Sequence, residues 1–294
     1  VIVGYMLLVH ENPGQVQRLV SVLPEGSPVL IHVDRRAPDD FQEELNGRLH
    51  GRANVHFVPR FASRWGSAGI IRATFSLIGS AIEKGIAFDY ATLLSGADYP
   101  IKSNAEIARF LEHHQGSEFI ESFAMEKPNR WSAMGGNYKA PDKVLRYHLR
   151  IRSRVVRTPF SRRLPYGLVP HGGSQWWTLS YAALQHISQF VRRTPKFDRF
   201  LDGVFIPDEF AIQTILSNSR FADRITGDDL RLAIWDRPVP PYPATLKCAD
   251  MDRIFASDKF FARKFDTETD AEVFDRIDRR RDAAAASAHL KSSH

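Results

Sequence analysis

A chain of 294 residues that is 43% hydrophobic, 25% charged and 11% aromatic has ordinary globular composition, which excludes collagen, coiled coil and wholesale disorder. Its single cysteine, Cys248, excludes a disulfide framework and a thiolate zinc cluster, and its longest apolar runs fall short of the ~20 residues a membrane span needs. The formal net charge of +6 is local: between Lys139 and His171, Lys139, Lys143, Arg146, Arg150, Arg152, Arg154, Arg157, Arg162 and Arg163 stand against one acid, Asp142.

In chain order, Ile2–Val9 is apolar and β-branched and reads as a buried strand, without the basic flank and cleavage site of a leader. Asn12-Pro13-Gly14 punctuates it before a helix over Gln15–Leu23. Val29–Asp34 is a second strand ending in a carboxylate, and Asn54–Pro59 a third. Ser67–Lys84 has the apolar spacing of a long helix, with Ile70, Ile71, Leu77 and Ile78 on one face. Tyr90–Leu94 is the fourth strand. Ser103 or Asn104 caps a helix through Leu111, with Glu106 in its first turn, and Phe119–Ser122 is a further strand. This alternation predicts an α/β fold with a mostly parallel sheet, whose ligands sit beyond the carboxyl ends of the strands. Asp34, Asp98 and Glu121 fall at such ends. The second half carries the basic loop, a strand entered through Gly172–Trp177, a helix over Tyr181–Val191 and another starting near Pro207. We expect one domain over 1–278, with a donor-binding half at about 1–125 and an acceptor half at about 126–278. The charged, Ala/Ser-rich stretch 279–294 reads as a frayed or disordered tail.

The phosphate-loop, dinucleotide, nucleophile-elbow and zinc-protease signatures are absent, and no histidine pair has ligand spacing. Four constellations remain, each with a structural alternative. Asp34 ends a strand beside Arg35 and Arg36: a salt-bridged terminus, or a partner for a nucleoside. Asp98 follows Ser95-Gly96-Ala97: a turn, or a site beside close backbone approach. Asp208 and Glu209 follow Pro207: a well-capped helix start, or a base among apolar neighbours that raise its pKa. Arg263 and Lys264 lie between Phe261 and Phe265: a surface pair, or cations that neutralise a diphosphate.

Taken in order, Leu7-Leu8-Val9-His10-Glu11-Asn12-Pro13, Ile31-His32-Val33-Asp34, Trp65-Gly66, Leu94-Ser95-Gly96-Ala97-Asp98-Tyr99-Pro100-Ile101-Lys102, Gly173-Ser174-Gln175-Trp176-Trp177, Pro207-Asp208-Glu209 and Phe261-Ala262-Arg263-Lys264-Phe265 resemble the core-2/I-branching glycosyltransferases. That family holds branching β-1,6-N-acetylglucosaminyltransferases and peptide O-xylosyltransferases, and the resemblance is to a bacterial member. It implies a GT-A-like, Rossmann-type fold and inverting transfer from a UDP-sugar without a metal. Glu209 would be the catalytic base and Arg263 with Lys264 the diphosphate partners. Asp34 would lie near the nucleoside, and Asp98, Trp65 and Gly66 would shape the donor site. Ser174, Gln175, Trp176, Trp177 and Asp208 would meet the sugar or acceptor. Two departures concern the donor. Gln175 stands where xylosyltransferase-like members have an aspartate, and Pro240-Pro241-Tyr242-Pro243 replaces an upstream arginine of the branching enzymes.

Inverting displacement needs a base on the acceptor side and positive charge on the leaving-group side, which Glu209 and the Arg263–Lys264 pair would supply. The donor order is N-acetylglucosamine first and xylose second; the acceptor is a glycan, glycolipid or protein. The expected location is the cytoplasm, with 139–171 as a contact for the anionic inner membrane face, not for nucleic acid; a solvated loop is the equal alternative. Competing functions are polyanion binding by a decayed transferase and a retaining glycosidase using Asp208, Glu209 and Asp98.

Overall fold

The computed structural model describes residues 1–126, 128–133, 141–151, 154–236 and 242–292; Lys139, Arg152, Pro240 and Pro241 lie outside these residues. The first half runs β1 (Val3–Val9), α1 (Pro13–Ser21), β2 (Val29–Val33), α2 (Phe41–Arg48), β3 (Val55–Phe57), α3 (Ala68–Glu83), β4 (Tyr90–Ser95), β5 (Asp98–Pro100), α4 (Asn104–His113), β6 (Phe119–Ile120) and β7 (Phe123–Ala124). There follow α5 (Arg130–Ala133), α6 (Asp142–Leu145), β8 (Arg146–Ile151), β9 (Arg154–Ser161), β10 (His171–Gly172), β11 (Trp177–Ser180), α7 (Tyr181–Arg193) and α8 (Pro195–Leu201). A 3-10 turn (Pro207–Glu209), α9 (Ala211–Ser217), β12 (Arg231–Ala233), α10 (Met251–Ala256), β13 (Phe261–Arg263) and α11 (Glu272–Ser292) complete the chain.

The central sheet has the order β3-β2-β1-β4-β11-β6. Its first four strands are parallel, while β11 runs antiparallel to both β4 and β6. The expected mostly parallel, Rossmann-type α/β sheet is therefore present, with β11 from the second half inserted antiparallel between β4 and β6. Alternation along the strands divides the interior in two. Tyr5, Leu7, Val9 and Ile31 pack with α1, α2, α4 and α11, whereas Met6, Leu30 and Leu93 pack with α3, α7 and α9. A strand apolar on both faces belongs in such a doubly covered sheet.

Local chemistry sets the element ends. Ser103 caps α4 and Glu106 returns the bond to the Ser103 amide, a complete capping box. Asn12, at φ 51°, caps α1 by accepting from the Gln15 amide. The helix expected from Pro207 begins instead at Ala211, because Phe210 turns out of helical geometry to bury its ring completely. At the other end of the chain α11 is helical through Ser292, across the stretch expected as a loose tail. Val273, Phe274 and Ile277 anchor it in the core, buried Arg281 donates to the Lys102 and Val22 carbonyls, and alanine favours continuation.

Candidate functional site

The parallel strand order reverses direction between β1 and β4, so their carboxyl ends form a topological switch point, the place where such sheets hold ligands in a crevice. A second sheet, β12-β13-β5, stands over this crevice. Antiparallel pairing of β13 with β5 sets Arg263 directly opposite Asp98, and parallel pairing with β12 brings Arg231 alongside. Gln15 fastens the two layers. Its amide donates to the Gly96 and Phe265 carbonyls at 2.7 and 3.0 Å and accepts from the Thr267 amide at 2.8 Å.

Asp98 is fully buried beneath two guanidiniums. Arg231 pairs with its Oδ1, Arg263 Nε lies 3.7 Å from the same oxygen, and the Ser95 amide and hydroxyl donate to Oδ2. Arg231 also donates to the Leu93 carbonyl at 2.7 Å. Both guanidiniums lie over the Trp176 ring, Arg263 at 4.1 Å and Arg231 at 4.9 Å from its centre, a cation–π arrangement made stronger by desolvation. Asp98 thus acts on any ligand through Arg263, its own oxygens being already engaged.

Lys264 follows with its ammonium 4.0 Å from the centre of the Tyr242 ring. Burial and the adjacent Arg263 charge lower its pKa, with Glu11 and Asp98 pulling the other way. Burial also lowers Arg263, Asp98 opposing and Arg231 reinforcing the shift. Beside them burial raises the Asp229 carboxyl against the pull of Arg231 and the Ser174 hydroxyl. Three cations crowded into one partly dry crevice repel one another, and an anion placed among them relieves that repulsion.

The second group of carboxylates lies on the turn before α9. Ile206 enters it at φ 57°, ψ 61°, a conformation β-branched residues seldom adopt and one found at over-determined, often functional positions. Asp208 is buried with Oδ1 unpartnered; burial first, then the neighbouring Glu209 charge, pushes it up to about 7. The Glu209 side chain remains 27% exposed, and its Oε2 lies 3.9 Å from the Lys143 ammonium. Burial raises its pKa, while Lys143 and then Arg130 pull it back. Lys143 is itself held 3.7 Å over the Trp131 ring, and Arg130 chelates Glu121.

One loop joins the two groups. The Gly173 amide donates to the Glu209 carbonyl at 3.0 Å, and a Cβ at Gly173 would stand 1.9 Å from the Glu121 carbonyl oxygen, so only glycine fits there. Three residues later Trp176 lies under Arg263. Three residues reach at most about 10 Å, so the backbone that holds the Glu209 turn at Gly173 and the backbone of Trp176 beneath the guanidiniums lie within that span of each other. Within the loop Ser174 adjoins Asp229, and Gln175 is half-buried.

Other expected residues fall differently. Trp177 is completely buried in the same core cluster that takes in Trp176, which leaves none of its ring open to a sugar. Trp176 stacks on arginines and is only 7% exposed. Trp65 and Gly66 stand beside the Glu209 turn rather than the cations, for Trp65 meets Phe205 edge-on at 5.7 Å and the Gly66 carbonyl accepts from the Ile206 amide at 3.4 Å. Asp34 Oδ1 accepts from the Arg36 and Ser63 amides at 2.8 and 3.1 Å, which pins the loop running towards Trp65. Among the described residues no cluster of three or more His, Cys, Asp or Glu is arranged to hold a metal. Sequence reasoning missed Arg231, Asp229 and Lys143. A cation alone between Leu230 and Leu232 was the available signal for the first; Lys143 was hidden in the basic run.

A family model described as Core-2/I-Branching enzyme matches residues 3–256, most of the chain. The chain belongs to this glycosyltransferase family. The matched span holds Asp34, Asp98, Trp176 and Glu209 and ends before Arg263 and Lys264. The chain is 27% identical over 299 residues to xylosyltransferase 2 of Homo sapiens, covering 94% of this chain and 33% of that protein. It is 26% identical over 297 residues to xylosyltransferase 1 of Canis lupus familiaris, with 94% and 30% covered. This branching-family chain thus spans about a third of the length of the curated relatives it matches. Among solved structures it is similar to apo mouse xyloside xylosyltransferase 1, with 11% identity, a TM-score of 0.40, and 89% of this chain and 97% of the other covered.

Proposed function

We propose that this chain transfers a sugar from a UDP-sugar to an acceptor hydroxyl by inverting, metal-independent single displacement. The observation that carries the reading is the cation platform of Arg263, Lys264 and Arg231, joined to Glu209 by the short 173–176 loop. Arg263 and Lys264 stabilise charge growing on the departing diphosphate, the task a divalent ion performs elsewhere. Glu209 takes the proton of the attacking hydroxyl from the opposite side. Its environment suits that work, since burial makes it a stronger base while Lys143 and then Arg130 oppose that rise. Asp98 holds the arginines in place, and Trp65 and Gly66 border the acceptor side of the crevice.

UDP-N-acetylglucosamine remains the first donor candidate on the branching resemblance and UDP-xylose the second, which the names of the curated relatives favour. The acceptor is a glycan, glycolipid or protein hydroxyl. A retaining glycosidase is the weaker reading, because Asp98, sealed beneath Arg231 and Arg263, is not open to a sugar. A UDP-sugar panel tests the proposal. A cognate donor raises the melting temperature by mass action and supports turnover in excess chelator. Abolition of turnover by chelator with rescue by manganese refutes metal independence, and release of sugar from an oligosaccharide without nucleotide refutes the transferase reading.

A further inference from the structure

The β8–β9 hairpin is inside-out for a surface ribbon. Cross-strand register sets His148 opposite Arg157 and Leu149 opposite Val156, and directly opposed residues share a face. The polar set turns inward: His148 is buried and stacks with Phe205 at 5.8 Å, while Arg146 and Arg157 both pair with Asp142, at 3.2 and 2.6 Å. Leu149 and Val156, opposed across the two strands, turn outward together, with Phe160 exposed near the hairpin root and Tyr147 half-open beneath Arg162. Phe160 is 69% exposed, Leu149 53%, Tyr147 45% and Val156 44%. Single exposed apolar residues need no explanation, but four on one two-stranded ribbon make a patch of the kind that marks an interaction surface.

Charge identifies the partner. The only acid of the basic segment, Asp142, is consumed by Arg146 and Arg157, so exposed Arg154 and Arg163 border the apolar residues without an acid of the segment to offset them. Apolar side chains beside arginines match the acyl boundary and the anionic headgroups of a bilayer respectively. We infer that the outer face of the β8–β9 hairpin docks on an anionic phospholipid surface. The root of the hairpin adjoins the Glu209 turn, since the Phe205 amide donates to the Lys143 carbonyl at 3.2 Å and the His148 amide to Gly203 at 3.0 Å. On the transferase reading, this puts a docked membrane on the ribbon whose root joins the segment leading into the Glu209 turn; the docking itself does not depend on that reading.

Flotation of the full chain with vesicles tests it without any catalytic readout. Vesicles of phosphatidylcholine mixed with phosphatidylglycerol carry the protein upward, those of phosphatidylcholine alone carry at least tenfold less, and added salt weakens the binding. Arg154→Gln and Arg163→Gln each weaken it about fivefold. The double change Leu149→Asp with Phe160→Asp removes it while leaving the melting curve unchanged, as expected for exposed positions. No flotation with anionic vesicles, equal flotation with neutral ones, or full binding by the folded double variant overturns the inference. So does a concentration-dependent dimer that the double variant dissolves, which assigns the patch to a second copy of the chain.

Discussion

Lys143→Met tests the Glu209 environment most directly, because it removes one charge and keeps an apolar stem against Trp131. At the 3.9 Å separation, two unit charges interact by about 4 kcal/mol at an effective dielectric constant near 20 and by about 1 kcal/mol in water. Glu209 is partly exposed, so the lower part of that range applies, about 1 to 2 kcal/mol. At about 1.4 kcal/mol per pKa unit, Glu209 should rise by roughly one unit. The sign follows from the roles: burial already raises this carboxyl and Lys143 lowers it, so removing Lys143 lets it rise further. A base must be ionised, and the acid limb of the pH profile of kcat/KM therefore moves to higher pH by about one unit while the plateau above it changes little. The limb reports Asp208 and Glu209 together, since adjacent carboxylates titrate as a pair. Lys143→Arg should return the limb towards its original place. An unmoved limb in a folded Lys143→Met protein refutes the coupling, and an equal loss at every pH shows that Lys143 only shapes the turn.

Glu209→Gln keeps shape but cannot take a proton, so turnover should fall about a hundred- to ten-thousand-fold with UDP affinity within a few-fold of the parent, measured by calorimetry. Arg263→Ala or Lys264→Ala should weaken UDP binding at least tenfold, as loss of a charge-assisted phosphate bond costs about 1.5 to 3 kcal/mol; uridine binding should hold, and equal losses for both ligands refute phosphate recognition. Asp98→Asn leaves buried Arg231 and Arg263 with Asp229 as their remaining nearby carboxylate and should destabilise the fold by about 3 kcal/mol, the lower end of the cost of breaking a buried pair, read as a lower denaturant midpoint; an unchanged midpoint would show that Asp229 replaces the lost charge.

Much of the framework was legible because it rests on local signals. Strand patterns over β1, β2 and β4, the apolar face of α3 and a cap at Ser103 or Asn104 with Glu106 in the first turn are written in neighbouring residues, and the observed elements fall within a few positions of the expected ones. Helix α2 escaped notice because Phe41 and Leu45 are its only buried residues, too few to show a period. The antiparallel placement of β11 is set by pairing with β4 across a long insertion, which no local pattern encodes. At the site, the motifs marked Glu209, Arg263 and Lys264, but not the partners that tune them. Lys143 reaches Glu209, and Arg231 reaches Asp98, only through tertiary packing. Adjacent tryptophans were equivalent in sequence; β11 begins at Trp177 and seals it in the core, while Trp176, just ahead of the strand, lies under the arginines.

Gln15 clasps Phe265 across 250 positions, and this has a consequence during synthesis. At about 5 to 20 residues per second on the ribosome, the first clasp waits roughly 10 to 50 s for its second. Over that interval Asp98 has emerged without Arg263, β4 waits for β11 with one edge unpaired, and the first strands are committed before the crevice exists. Unpaired edges and exposed apolar faces are what chaperones bind and what aggregates. The nascent chain therefore passes through a long stage in which most of the sheet has emerged but Arg263 and Lys264 have not, and the 261–267 segment can pair with α1 only after those residues emerge, just ahead of α11.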